Sequence, residues 1–360
     1  MIVLLALLAY VGWHVWIVVP LPWWGRLAAV GLMAAGVAAM AVGLSRWADK
    51  VPLWLASVAY DVGSTALIVL AYLLMLCVVA DLFRLVHLLP AAWLRDNWYT
   101  VGVVVVAMTA LLVGGNMHYR HKVRVALTPD THGKRIEQPM RLLAASDLHI
   151  GYHNRRPELA RWVDMINAEK PDAVLLAGDL IDRSLRPLLE DGMAEELRRI
   201  EAPVFACPGN HECYAAGMYT EAEVEAFYRE AGITLLRDSV AMLGGIAVAG
   251  RDDRTNPRRL GVEALMQKVD ARGERYTILL DHQPYNLEEA EQAGVDLQLS
   301  GHTHHGQFWP GSWITDAVYE CAWGSHRRGA TDYYVTSGMG IWGPKYRIGT
   351  QSEYVVVTIN

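Results

Sequence analysis

The feature that most restricts this chain is the scarcity of charge in its first third. Residues 1–117 hold very few Asp, Glu, Lys or Arg, whereas the remainder has ordinary globular composition. Four apolar runs fill this region: Met1 to Val19, Leu27 to Leu44, Leu55 to Ala80 and Val101 to Met117. Each approaches the roughly 20 residues needed to cross a bilayer as a helix. The first has neither the basic start nor the small-residue cleavage site of a signal peptide, and more apolar runs follow it. Four buried soluble helices in succession, with so little polar surface, fit the pattern poorly. The expectation is a transmembrane region over 1–117 with about four helices, then a linker over 118–139.

The flanks support spanning. Trp13, Trp16, Trp23, Trp24, Trp47, Trp54, Trp93 and Trp98 lie at or near run ends, where indole rings favour the membrane interface. Arg46, Lys50, Arg120, Lys122 and Arg124 fall on one side of the expected topology, against Arg26, Arg84 and Arg95 on the other. This bias puts the N-terminus and the C-terminal domain in the cytoplasm, with the helices in the cell (inner) membrane. Gly31, Gly36 and Gly43 would let the second helix approach a neighbour closely. Asp61 is an intramembrane acid, read as facing a polar neighbour.

Over the whole chain the formal net charge is −6, which argues against a nucleic-acid polymer as partner. Cys77, Cys207, Cys213 and Cys321 form no C-x-x-C pair and no spaced framework. They read as free thiols, with Cys207 and Cys213 able to pair under oxidising conditions.

From residue 140 onward, short apolar strands alternate with amphipathic helices. Strands are expected at Arg141–Ser146, Ala173–Ala177, Val204–Cys207, Thr234–Leu236, Ile246–Ala249, Thr277–Leu280, Leu297–Ser300, Tyr333–Ser337 and Tyr354–Ile359. Helices are expected at Glu158–Glu169, Leu188–Ile200, Glu221–Ala231, Leu260–Val269 and Leu287–Ala293. Alternation of this kind predicts an α/β fold, with ligands at the carboxyl ends of strands.

Five fragments carry metal-type residues, each just after an apolar strand. They are Asp147-Leu148-His149, Gly178-Asp179 with Asp182 behind it, Gly209-Asn210-His211-Glu212, Asp281-His282, and Gly301-His302-Thr303-His304. The first pair, two residues apart at a strand end, is expected to project to one side. Together the fragments offer two Asp, one Asn and four His as ligands, with His211 left over. That is more than one ion uses, but suits two ions roughly 3.5–4 Å apart bridged by a carboxylate. Imidazole and carboxylate donors suit manganese, iron or zinc. Gly178, Gly209 and Gly301 permit close backbone approach.

The order D-x-H, G-D-x-x-D, G-N-H-E, H and G-H-x-H resembles the calcineurin-like metallophosphoesterase superfamily, over about residues 140–360. With the preceding helices and Gly-His-Thr-His-His-Gly-Gln-Phe-Trp-Pro near the end, the chain is similar to the membrane-associated branch of YkuE- and YaeI-like phosphodiesterases. The resemblance implies a two-sheet sandwich flanked by helices. It implies one ion held by Asp147, His149, Asp179 and His304. It implies a second held by Asp179, Asn210, His282 and His302, with Asp179 bridging. His211 is then a catalytic histidine facing the substrate, and Asp182 and Glu212 orient ligand histidines. His305 departs from the glycine common at its position and reads as a surface residue.

The implied activity is hydrolysis of a phosphodiester or pyrophosphate by metal-activated hydroxide. Phe308, Trp309, Trp313, Trp323 and Trp342, close in sequence to the last metal motif, favour an amphiphilic, lipid-linked substrate. Arg327, Arg328, Lys345 and Arg347 are candidate anion contacts, or solvated charge. Two other readings remain: a membrane sensor with a phosphoesterase output domain, and a catalytically silent metal-binding scaffold.

Overall fold

The computed structural model describes residues 2–134, 136–269 and 275–360. The chain divides into two units, one of 1–116 with 343–345 and one of 117–342 with 346–360. The first is called here the apolar unit and the second the catalytic unit.

The apolar unit is built from α1 (Ile2–Val18), α2 (Trp23–Gly43), α3 (Leu53–Leu85) and most of α4 (Trp98–Arg120). Among the described residues, only α2, α3 and α4 are long and apolar enough to cross a membrane, three rather than the four expected. The difference lies in α1. It has 17 residues, about 25 Å at 1.5 Å per residue, short of the roughly 30 Å hydrocarbon core. Pro20, which lacks a donor and disfavours helix in Val19, stops it. Conversely α3 runs past its expected end at Ala80, through Asp81 and Arg84. Asp81 is accommodated because Tyr10 donates its hydroxyl to Oδ2 at 2.7 Å and His14 Nε2 lies 3.1 Å from the same oxygen. Hence Asp81 is the acid tied to α1, while Asp61 lends its backbone carbonyl to Ser64 Oγ.

Small residues bring α2 and α3 together, though not all those expected. A Cβ on Gly63 would stand 2.2 Å from Met40 N, and one on Gly36 2.8 Å from Ala66 Cβ. Gly31 faces open space.

In the catalytic unit two six-stranded sheets face each other. The strands are β1 (Lys122–Leu127), β2 (Met140–Ala145), β3 (Ala173–Ala177), β4 (Val204–Cys207), β5 (Ile233–Leu235), β6 (Ser239–Leu243), β7 (Ile246–Gly250), β8 (Thr277–Leu280), β9 (Leu297–Ser300), β10 (Gly324–Arg328), β11 (Thr331–Val335) and β12 (Ser352–Ile359). One sheet has the order β1-β12-β2-β3-β4-β5 and the other β10-β11-β9-β8-β7-β6. The expected α/β two-sheet architecture is therefore present. Leu142, Ala144, Leu175, Val248, Ile278, Leu280, Leu299, Val355 and Val357 form one buried cluster between the sheets. Leu143, Trp162, Val163, Val174, Leu176, Phe227 and Val356 form another under the helices of the first sheet. Residues of one strand alternate between the two clusters, as the pleat requires.

Within the expected linker, Lys122–Leu127 instead form β1, paired in parallel with β12. Lys122 is buried there because its amine donates to Tyr119 O at 2.7 Å and lies 3.7 Å above the Tyr119 ring. The helix expected over Leu188–Ile200 is two short pieces, Arg186–Glu190 and Met193–Leu197, broken at Gly192 with φ 63°. Two helices had no counterpart in the expectation, Asn210–Ala216 and Gly311–Val318.

Candidate metal centre

The carboxyl ends of β2, β3, β4, β8 and β9 deliver the five fragments to one place. Among the described residues, three groups of donors have ligand atoms within 4.8 Å of one another: Asp147, His149 and His304; His149, Asp179 and His211; and Asp179, His282 and His302. Asp179 belongs to two of them. Asn210 joins through His302, whose Nδ1 lies 2.9 Å from Asn210 Oδ1.

The convergence has a different local cause from the expected one. β2 ends at Ala145, so Asp147 and His149 do not share a strand face. Asp147, His149, Asp179, His302 and His304 all have left-handed backbone, with φ of 54°, 45°, 52°, 69° and 48°. Such conformations are uncommon for residues with a Cβ and cost of order 1–3 kcal/mol each. At Asp179 the turn is held by hydrogen bonds from outside the ligand set. Glu212 accepts from the backbone N–H of Asp179, Ile181 and Gly209 at 3.1, 2.8 and 2.7 Å, and from Tyr228 OH at 2.9 Å. It thus fixes the Asp179 turn rather than orienting a histidine, as the sequence had suggested. Gly209 is required by space, since a Cβ there would stand 2.2 Å from Asp179 Oδ1.

The nitrogens are arranged as ligands need to be. His282 Nδ1 hydrogen-bonds Ala177 O at 2.7 Å, which makes Nδ1 the protonated nitrogen and leaves a lone pair on Nε2. That Nε2 is buried without a hydrogen-bond partner, 3.1 Å from Asp179 Oδ2. His149 Nδ1 faces Asp182 Oδ1 at 3.7 Å, turning Nε2 toward Asp147 Oδ1 and Asp179 Oδ2 at 3.7 and 3.6 Å. His149 Nε2 and His304 Nε2 point at each other across 3.2 Å. Asp147 Oδ1 lies 3.7 and 3.4 Å from these two nitrogens, so a carboxylate and two imidazoles converge on one point. The residues therefore fit a divalent cation.

Electrostatics agree. Burial disfavours charge on Asp147, yet His304, His149 and His282 beside it hold its carboxyl well below the usual range. Burial would lower His149, but the Asp147 and Asp182 carboxylates override it and raise it to about 10. His304 goes the other way, pushed down by burial and by His149 against the pull of Asp147. Burial and the neighbouring His282 lower His302 to about 4. The constellation carries strongly ionised carboxylates and demands positive charge among them.

His211 lies at the edge of this group. Its Nδ1 contacts the Asp182 carbonyl oxygen and stands 3.3 Å from Asp182 Oδ1. Its ring packs edge-on against His149 at 4.5 Å, with Tyr214 and Trp342 at 5.3 and 6.4 Å between ring centres. Asp182 thus touches both His149 and His211.

Several expectations change. Arg347 is neither an anion contact nor solvated. It is fully buried and donates to His304 O at 2.6 Å, Gly340 O at 3.3 Å, Ser352 Oγ at 3.1 Å and Ser337 O. It anchors the left-handed turn at His304, a role that no motif signals. Arg328 pairs with Glu291 and Glu320, and Arg327 with Asp130 and Asp332. His305 is not simply at the surface: it stacks on Trp323 at 4.7 Å and faces Asp316 at 3.5 Å. All four cysteines are free thiols.

Residues 140–306 match the family described as calcineurin-like phosphoesterase. An Aquifex aeolicus protein named as a metallophosphoesterase is 33% identical over 231 residues, covering 61% of this chain and 85% of that one. A Danio rerio transmembrane protein with a metallophosphoesterase domain is 31% identical over 241 residues, covering 61% of this chain and 53% of that one. Bacillus subtilis YkuE, also named a metallophosphoesterase, is 28% identical over 280 residues, covering 70% and 93%. This chain belongs to the calcineurin-like metallophosphoesterase family. It is accordingly a metal-dependent phosphoric ester hydrolase with a divalent metal site.

Proposed function

We propose that the chain is a membrane-anchored phosphoesterase with two divalent ions, which hydrolyses a phosphodiester or pyrophosphate of a lipid-linked substrate. The observation that carries the two-ion reading is Asp179, whose Oδ2 lies 3.6 Å from His149 Nε2 on one side and 3.1 Å from His282 Nε2 on the other. Asp147, His149, Asp179 and His304 would hold one ion, and Asp179, Asn210, His282 and His302 the other. Manganese, iron and zinc all suit these donors. When bound, such ions draw charge from phosphoryl oxygens and lower the pKa of water.

The chain's own groups supply the rest. Asp182 holds His211 by Nδ1, which leaves Nε2 to bond a phosphoryl oxygen or hand a proton to the leaving oxygen. Glu212 and Arg347 keep the ligand turns in shape.

The lipid reading rests on the helix Gly311–Val318. Trp313 and Ile314 are 65% and 64% exposed, and Val318 on the same face is 58% exposed. Trp309 packs edge-on against Trp313 at 5.3 Å. Tyr319, which follows this helix, has its ring 6.3 Å from that of His302. An exposed apolar face so close to the centre suits an amphiphilic ester presented at a bilayer. The Arg and Lys bias of the sequence favours a cytoplasmic catalytic unit on the inner membrane.

The test is turnover by the full chain in detergent with added manganese, zinc or iron, on lipid phosphodiesters and diphosphates beside water-soluble bis(p-nitrophenyl) phosphate. Faster turnover of the lipids, abolished by a chelator, is expected. No turnover with any metal would revive the silent scaffold, and equal rates on soluble and lipid esters would remove the lipid preference. A C-terminal reporter active only outside the cytoplasm would reverse the orientation.

A further inference from the structure

Glu212 braces the left-handed turn at Asp179, and Arg347 braces the one at His304. The turn at His149, with φ 45°, has a brace of its own. Asn154 is fully buried, and its Nδ2 donates to Leu148 O at 3.0 Å, His149 O at 3.2 Å and Ile341 O at 3.2 Å. The first two carbonyls belong to the peptide planes before and after His149. The orientations of those planes set the φ and ψ of the residue between them. The backbone of Asn154 closes the same loop, since Gly151 N–H donates to Asn154 O at 3.1 Å.

Asn154 can do this in one orientation. With the amide turned over, Oδ1 would face three carbonyl oxygens, all of them acceptors. The orientation is set from a distant part of the chain: Tyr119 donates its hydroxyl to Asn154 Oδ1 at 2.9 Å. Tyr119 is fully buried, in the cluster that includes Leu148, Ile150, Trp162 and Met339. It lies in the last turn of α4, a helix long and apolar enough to cross a membrane. A hydroxyl on that helix therefore stands two hydrogen bonds from the backbone of a candidate ligand.

We propose that Tyr119 is a positioning residue for the metal centre. Through Asn154 it holds the His149 turn in the conformation that aims Nε2 at the ion. Tyr119 touches no ligand and takes no part in bond breaking. The end of α4 is then part of the frame of the site as well as an anchor. This rests on the reading of His149 as a ligand.

The experiment titrates manganese against a chelator, using the full chain in detergent. His149→Ala is the reference, and is expected to bind far more weakly than the parent. Asn154→Asp keeps an acceptor for Tyr119 but turns an oxygen toward the carbonyls, and should raise the dissociation constant about tenfold. Tyr119→Phe removes a hydroxyl one hydrogen bond further out, and should raise it by less, about threefold. Val163→Ala, a change in the same buried cluster, controls for lost stability: it should lower the unfolding midpoint and leave the affinity at the parent value. Unchanged affinity in Tyr119→Phe, or an equal loss in Val163→Ala, overturns the proposal. So does a loss in Tyr119→Phe without one in Asn154→Asp, because the effect would not pass through Asn154. A His149→Ala protein that binds manganese like the parent brings down the ligand reading itself, and this proposal with it.

Discussion

In the apolar unit, glycines stand against backbone: Gly63 meets Met40 where α2 crosses α3. In the catalytic unit, glycines stand against charge: Gly209 meets Asp179, and Gly301 meets Asp147. The first arrangement brings two helices close when no water is present to drive them together. The second brings a carboxylate close to a turn so that it can be solvated by N–H groups rather than water. Polar side chains follow the same division. The apolar unit ties its acid Asp81 to Tyr10 and His14, whereas the catalytic unit concentrates buried carboxylates and imidazoles at five strand ends. The contrast teaches that one unit depends on shape and the other on charge, so each should fail in its own way.

Three substitutions probe that contrast. The largest effect is expected for Asp179→Ala, which removes the carboxylate common to two donor groups. Turnover should fall well over a hundredfold, beyond the ten- to hundredfold loss typical of outer-shell changes, while helix content by circular dichroism is retained. Undiminished turnover would remove charge from the explanation of the catalytic unit. Next comes Gly63→Leu, which places a side chain where Met40 backbone lies. Overpacking of this kind costs about 1–3 kcal/mol, read as a lower unfolding midpoint in detergent. If the units fail independently, metal-dependent turnover below that midpoint stays within about twofold of the parent.

The smallest effect concerns Glu169. Burial works to raise its pKa, but hydrogen bonds from Tyr354 and Arg124 and the charge of Arg141 leave it below its ordinary value of 4.5. A depressed carboxyl stabilises the fold above the unfolded-state pKa. That stability is lost as pH falls through the folded-state value. Glu169→Gln should therefore lower stability at pH 7 by about 1 kcal/mol or less, with a smaller difference at about pH 4, below the ordinary value. Denaturant titrations at the two pH values check this, and an equal deficit at both would assign the loss to packing rather than charge.

Sequence reading reached the centre of the catalytic unit more surely than its borders. The buried strands β2, β3, β4, β8 and β9 read as apolar runs because both their faces are covered. The strands that escaped notice, β1, β6 and β10, are all at sheet edges. Edge strands carry exposed polar and charged residues, as in Lys122-Val-Arg-Val and Ser-His-Arg-Arg328, and so look like linker or surface. In the apolar unit the runs were visible, but the stop imposed on α1 by Pro20 and the continuation of α3 through Asp81 depended on tertiary partners. The seven candidate ligands were legible because each follows a strand. Arg347 and Tyr228 were not, since what they do depends on neighbours distant in sequence. Nor was the backbone at the ligands, which an Asp or a His does not announce.

That backbone bears on how any mutational scan of this protein is to be interpreted. At Asp147, His149, Asp179, His302 and His304 an alanine keeps the penalty for left-handed φ and removes the donor, whereas a glycine removes both. The pair of substitutions at one position therefore separates loss of chemistry from loss of shape. Equal inactivity of Ala and Gly variants, with the Gly variant melting higher, identifies a donor. Valine, isoleucine and threonine will be rejected at all five positions whatever the reaction, so their absence from a library of survivors carries no information about metal. The informative alphabet at this centre is short: Ala, Asn, Gly and the native residue.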